Sequence, residues 1–354
     1  MSRRLGALAA ALLLGLAAGC GGGGDRTGSD SSTAPTASPA VGSVWVADDG
    51  ADSLTVIDAA SSTVTVTLTG LVNPHNVQVS PDGMTVYAVQ ADDTVVAIDP
   101  VTYAVTGIAR TGAHPAHVVE TAGKVYVTAS DDGAVWVYQA PGLQPLGRVE
   151  LGGSPHGLRP APDGSLVVVA NTGSGALDLI DPATDTVTGS IPVGAGTVQV
   201  AVSPDGRHGY AGVAEPPSVV KVDLDSRAVV GSVGVPALPV QLAITPDGAT
   251  VLSANEGTAD QPGTTVSLID TAAMSVRQSV ATGTGPHGVA VDEAGSHAWV
   301  TNSADDTVSV VSLDPAAEDT AVPVGAHPAG VSYSPFPPTA ASVDVLPLEI
   351  PAPA

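Results

Sequence analysis

Between Ser154 and Gly194 the chain runs through four short apolar segments, each closed by a turn signal. Leu158 opens an extended segment that stops at Pro162-Asp163-Gly164. Leu166 to Ala170 is a nearly unbroken apolar, largely β-branched run closed by Asn171-Thr172-Gly173. Ala176 to Ile180 alternates and ends at Asp181-Pro182, and Thr186 to Val193 alternates again and ends at Gly194. Short alternating or β-branched runs bounded by Gly, Pro and Asp predict four strands. Near-equivalents of this cassette return about every 40 residues, the mark of a repeat architecture.

Alignment on the run after each turn yields seven units. They carry Val44-Trp45-Val46-Ala47, Val86-Tyr87-Ala88-Val89, Val125-Tyr126-Val127-Thr128, Val167-Val168-Val169-Ala170, Gly209-Tyr210-Ala211-Gly212, Val251-Leu252-Ser253-Ala254 and Ala298-Trp299-Val300-Thr301. The next strand of most units ends in an apolar residue plus Asp, as in Ile57-Asp58, Ile98-Asp99, Ile180-Asp181 and Ile269-Asp270. Between units stand Pro81-Asp82-Gly83, Pro162-Asp163-Gly164, Pro204-Asp205-Gly206 and Pro246-Asp247-Gly248. Pro presets φ, Asp bonds the nearby backbone, and Gly accepts the positive φ that follows. A lone four-stranded sheet of this size cannot cover both its faces, but sheets stacked radially cover each other. The pattern predicts an all-β chain, a seven-bladed β-propeller with four-stranded blades over residues 42–335. The chain enters at the second strand of a blade. The strand at Gly330 to Ser334 is expected to join that amino-terminal blade and close the ring without a long exposed edge.

Trp299-Val300-Thr301-Asn302, Val125-Tyr126-Val127-Thr128, the Pro-Asp-Gly turns and the Ile-Asp endings resemble the YVTN-type propeller repeat of exported bacterial and archaeal proteins. The resemblance implies the architecture and leaves the function open. Such propellers act as surface-layer components and binding modules, and related seven-bladed folds include lactonases, lyases and subunits of redox enzymes. Fold alone does not choose among them.

Residues 1–20 read as a targeting segment. Arg3 and Arg4 precede an apolar run from Leu5 to Ala18, too short to span a bilayer comfortably. The run ends Leu16-Ala17-Ala18-Gly19-Cys20, which resembles a bacterial lipoprotein signal, although Ala17 stands where Leu is commoner. The resemblance implies lipidation of Cys20, the only cysteine in the chain, and anchoring to the outer face of the cytoplasmic membrane. With one cysteine no disulfide framework exists. Residues 21–41 offer little to bury and are expected to form a disordered tether. Residues 336–354 are a proline-rich tail; Val343 to Ile350 would suit an edge strand but for Pro347, so the tail is expected to be extended and disordered. The formal charge of −24, which loss of Arg3 and Arg4 would take to −26, opposes generic nucleic-acid binding.

Candidate chemistry collects on the face opposite the Pro-Asp-Gly turns. Asn73-Pro74-His75-Asn76, Ser154-Pro155-His156-Gly157 and Gly285-Pro286-His287-Gly288 superpose, so His75, His156 and His287 are spread two, three and two blades apart around the ring. Side chains leaning to the axis would converge on one small ion, and neutral imidazole is a common metal ligand. The same histidines would also serve as hydrogen-bonding groups between blades. His114, His117 and His327 lead into inner strands as well, and Asp93, Asp132 and Asp306 sit in acidic loops on that face. These six are further candidate ligand contacts, with carboxylates suited to a divalent cation and equally to tight-turn chemistry. No nucleophile elbow, phosphate loop or zinc-protease helix is present. The expectation is an exported, lipid-anchored binding or scaffold module whose top-face loops take a protein or small-molecule ligand. Two alternatives remain: a metal-assisted enzyme of the lactonase or lyase kind using the top-face histidines, and an accessory protein of a redox or metal-handling system.

Overall fold

A computed structural model describes residues 40–339 and 344–353. Seven sheets stand in a ring, all antiparallel within the repeat. In blade 1 the order from the axis outward is Pro328–Ser334, Ser43–Asp48, Ser53–Asp58, Thr63–Thr69. Blades 2 to 7 occupy residues 74–110, 115–150, 155–192, 195–234, 239–281 and 286–323, each with four strands in chain order. Apart from one 3-10 turn at Asp49–Ala51, no helix occurs among the described residues, and none is long and apolar enough to cross a membrane. Cys20, the signal segment and nearly all of the tether lie outside the described residues.

Burial explains the patterns along the strands. Second strands such as Val86–Gln90 and Val167–Asn171 are buried at every position because both faces of the sheet meet a neighbouring blade. That is why they read as continuous apolar runs. Outer strands such as Gln144–Glu150 and Ala228–Gly234 face solvent along most of their length; the first is mixed, and the second leaves Val229 and Val230 exposed. The Pro-Asp-Gly turns form as their chemistry predicts. In the first, Gly83 has φ of 71° and its N–H donates to the Ser80 carbonyl, while Asp82 accepts from the Ser80 hydroxyl and the Met84 N–H.

Closure follows the expected route. Pro328–Ser334 pairs antiparallel with Ser43–Asp48, Ser43 opposite Ser334 and Val46 opposite Val331. Across the seam Tyr333 stacks on Trp299 of blade 7, ring centroids 5.4 Å apart and nearly parallel. The tail departs from expectation. Asp344–Pro347 adds a fifth strand to blade 1, parallel to Thr63–Thr69, and the Leu348 N–H donates to the Thr69 carbonyl. Pro347 is tolerated there because it ends an outermost strand, where its missing donor breaks no ladder. Leu348 and Ile350 pack against the core of blades 1 and 2.

Candidate metal centre at the propeller axis

Every innermost strand except one begins at a Pro; Thr197 takes its place in blade 5. Just after this residue the pairing register with the second strand slips, as between Pro74 and Asn76 and between Pro155 and Leu158. A β-bulge re-aims side chains, and here residues adjacent in sequence both reach the axis. His75, His156 and His287 stand one residue after the Pro, His117 two residues after it.

The four rings meet. Centroids of His75 and His117 are 6.0 Å apart, of His75 and His156 6.0 Å, of His75 and His287 5.5 Å, and of His117 and His156 5.0 Å. One ring nitrogen each from His75, His117 and His156 lies within 4.8 Å of the others. The expected trio therefore changes. His117 replaces His287 in the tightest group, and His287 borders it through His75.

The surroundings fix ring orientation and protonation. His156 Nδ1 is 3.0 Å from the Val198 carbonyl, which can only accept, so Nδ1 carries the proton and Nε2 keeps its lone pair. That is the arrangement found behind metal-bound histidines. The Asp49 carboxylate stands 3.9 Å from His75 Nδ1, and this contact holds the carboxyl below its ordinary range. Burial holds the His117 ring well below the usual imidazole range and brings His156 to about 4 and His287 to about 3, with His75 adding to the latter two. These three imidazoles are neutral at pH 7, as metal ligands must be. Beneath them the Thr128 hydroxyl accepts from the His117 N–H at 3.0 Å and donates to the His156 carbonyl at 2.6 Å. One side chain thus ties together the backbones that carry two of the rings.

Several buried polar atoms of the innermost strands have no partner: His117 Nδ1, Gln199 Nε2 and both amide atoms of Gln241. Buried polar groups are ordinarily satisfied by protein, water or ion, so this cluster marks a place built for something polar. Crowding on the ring supports that reading. A Cβ on Gly157 would sit 2.0 Å from Gln199 Oε1, so Gly is required where the Gln199 amide leans in. Glu256, on the long hairpin of blade 6, is within electrostatic reach of His75, and burial pushes its carboxyl up to about 7.

The remaining candidates have structural work. Asp93 Oδ1 accepts from the His114 N–H and Asp306 Oδ1 from the His327 N–H, both acids at positive φ, and Asp52 does the same for Asn73. Each such bond joins the loop of one blade to the chain entering the next. Asp132 accepts from the Trp136 indole N–H. His114 and His327 are exposed, and each remains within electrostatic reach of one axial ring, His114 of His156 and His327 of His287.

The sequence matches no family model and no curated protein. Solved structures match the fold. The hydrazine synthase of Kuenenia stuttgartiensis aligns over 75% of this chain and 91% of its own at 23% identity and a TM-score of 0.69. A functionally unknown protein of Desulfotomaculum acetoxidans aligns over 84% and 99% at 13% identity and a TM-score of 0.73. A Bacteroides fragilis protein provisionally assigned as a 6-phosphogluconolactonase aligns over 85% and 100% at 15% identity and a TM-score of 0.70. At these identities the likeness establishes the propeller and nothing about activity.

Proposed function

We propose that this chain is an exported binding propeller that holds one divalent transition-metal ion at its axis through His75, His117 and His156. The observation that carries the reading is the convergence of three ring nitrogens, within 4.8 Å of one another, on side chains from three consecutive blades. Imidazole donors suit Zn²⁺ and Cu²⁺. Nitrogens bound tetrahedrally to one Zn²⁺ lie about 3.4 Å apart, so the rings close by roughly an ångström on loading. Purified protein without a histidine tag should carry or take up about one Zn²⁺ or Cu²⁺ per chain, read by elemental analysis and calorimetry. His117→Ala and His156→Ala should each weaken binding by about 10–100-fold. Protein that takes up neither ion, with no rise in Tm on addition, removes the proposal.

The same proposal includes the anchor at Cys20, supported by the signal-like run Leu16 to Cys20. Cys20→Ala should move the protein from the membrane to the soluble fraction, and retention on membranes would count against lipidation.

A second reading is supported by Glu256. A carboxyl pushed up to about 7 by burial, within electrostatic reach of His75, would suit a general base in a hydrolytic or eliminating step. Turnover of lactone substrates by the metal-loaded protein, lost in Glu256→Gln with the ion retained, would favour an enzyme over a binding module.

A further inference from the structure

We infer that the opposite end of the axial channel is a binding site for a small organic carboxylate, held by Arg159. A cavity of 260 Å³ lies there, lined by the far ends of the innermost strands, on the side of the Pro-Asp-Gly turns. It is below the roughly 300–1,000 Å³ of pockets for drug-sized ligands, so its occupant is small. Arg159 and His156 share the strand Pro155–Pro160 and stand three residues apart, about 10 Å along it. The cavity therefore opens toward the other face of the ring, although Arg159 stays within electrostatic reach of His117, and the inference does not rest on the metal reading.

The composition of the ring at this level creates the site. Arg159 is contributed by blade 4, while the equivalent positions in blades 5, 6 and 7 are Ala201, Ala243 and Ala290. Ser332 and Gln78 come from blades 1 and 2, and Val119 of blade 3 closes the circle. A long cation beside three consecutive alanines leaves a gap that the guanidinium overlooks. Val202, Ile244 and Val291 form apolar walls next to it.

Arg159 has no counter-ion. Its one hydrogen bond runs from Nη1 to the carbonyl of Leu158, at 2.8 Å, and no carboxylate pairs with it among the described residues. Burial alone lowers its pKa, to about 10, with no acidic neighbour to oppose the effect. Arg159 is half-buried, and a charge partly withdrawn from water without a counter-charge is unfavourable; this one occurs in a chain of formal charge −24 that could readily have supplied an acid. Ser332 faces the same cavity. Its hydroxyl accepts from the Val79 N–H at 3.0 Å and from Gln78 Nε2 at 3.3 Å and donates to no described residue. A guanidinium fork, a spare hydroxyl proton and an apolar wall together match a carboxylate with a short hydrocarbon body.

Calorimetric titration of the purified full chain with butyrate, against chloride and sulfate at matched ionic strength, tests the assignment. Butyrate should saturate a single site, and Arg159→Gln should weaken it at least about tenfold. Ala243→Leu, which fills the gap and leaves the cation in place, should also abolish binding. Should Arg159→Gln fail to fold by circular dichroism, Ala243→Leu decides. Absence of saturable butyrate binding, equal saturation by sulfate, or unaltered affinity in Ala243→Leu would each overturn the proposal.

Discussion

Asp48 shows how one atom alters the energetics of a repeated position. It occupies the place of Asn171, Asn255 and Asn302 in other blades, fully buried at the end of its strand. Asn302 Nδ2 donates to the Thr307 and Ser309 hydroxyls, whereas Asp48 Oδ2 accepts from the corresponding Ser53 and Thr55 hydroxyls. Burial raises the Asp48 pKa to about 6 from 3.8. Between those values the folded state holds more proton than the unfolded, so this group's stabilising contribution is full below about pH 3.8 and lost as pH rises through about 6. Asp48→Asn, with the two hydroxyls reversed to accept, should stabilise the protein by about 1–3 kcal/mol at pH 7.5 and by little at pH 4. Urea unfolding at the two pH values is the measurement.

At the scale of the element, the innermost strands carry the candidate chemistry and the second strands position it. Thr128→Val removes the hydroxyl between the His117 amide and the His156 carbonyl. It should cost about 1–3 kcal/mol and weaken metal binding, whereas Thr128→Ser should restore both. Denaturant midpoints and metal titrations would separate these effects. The blades themselves were legible because their turns are local chemistry: Pro, Asp and Gly act on their own backbone, whatever the rest of the chain does. The equivalence of His75, His156 and His287 was legible for the same reason, as a fixed offset from Pro. The place of His117 in the central trio was not, because period-two reasoning sends adjacent residues to opposite faces and gives no sign of the bulge. Nor was the gap beside Arg159, which depends on three alanines about 40 residues apart facing one another across a closed ring. The last strand was discounted on Pro347, because nothing local marks that residue as the end of an outermost strand, where its missing donor breaks no ladder.

For the whole molecule, the two additions to blade 1 differ in what they hold. Pro328–Ser334 closes the ring, and Asp344–Pro347 covers an outer edge. A chain ending at residue 339 should fold, lose a few degrees of Tm and keep its metal stoichiometry. A chain ending at residue 327 should lose the cooperative transition, with Trp299 and the strand Ser43–Asp48 uncovered. Thermal scans followed by tryptophan fluorescence distinguish the two. The same seam sets a timetable for the polypeptide during its manufacture. The second, third and fourth strands of blade 1 emerge first, yet they wait beside an open slot until almost the whole chain has followed. Throughout that interval one apolar edge is available to any passing strand, including that of a sister chain. A pause in translation or translocation just before residue 328 would therefore be the moment of greatest risk of cross-pairing, and the arrival of a single seven-residue strand ends it.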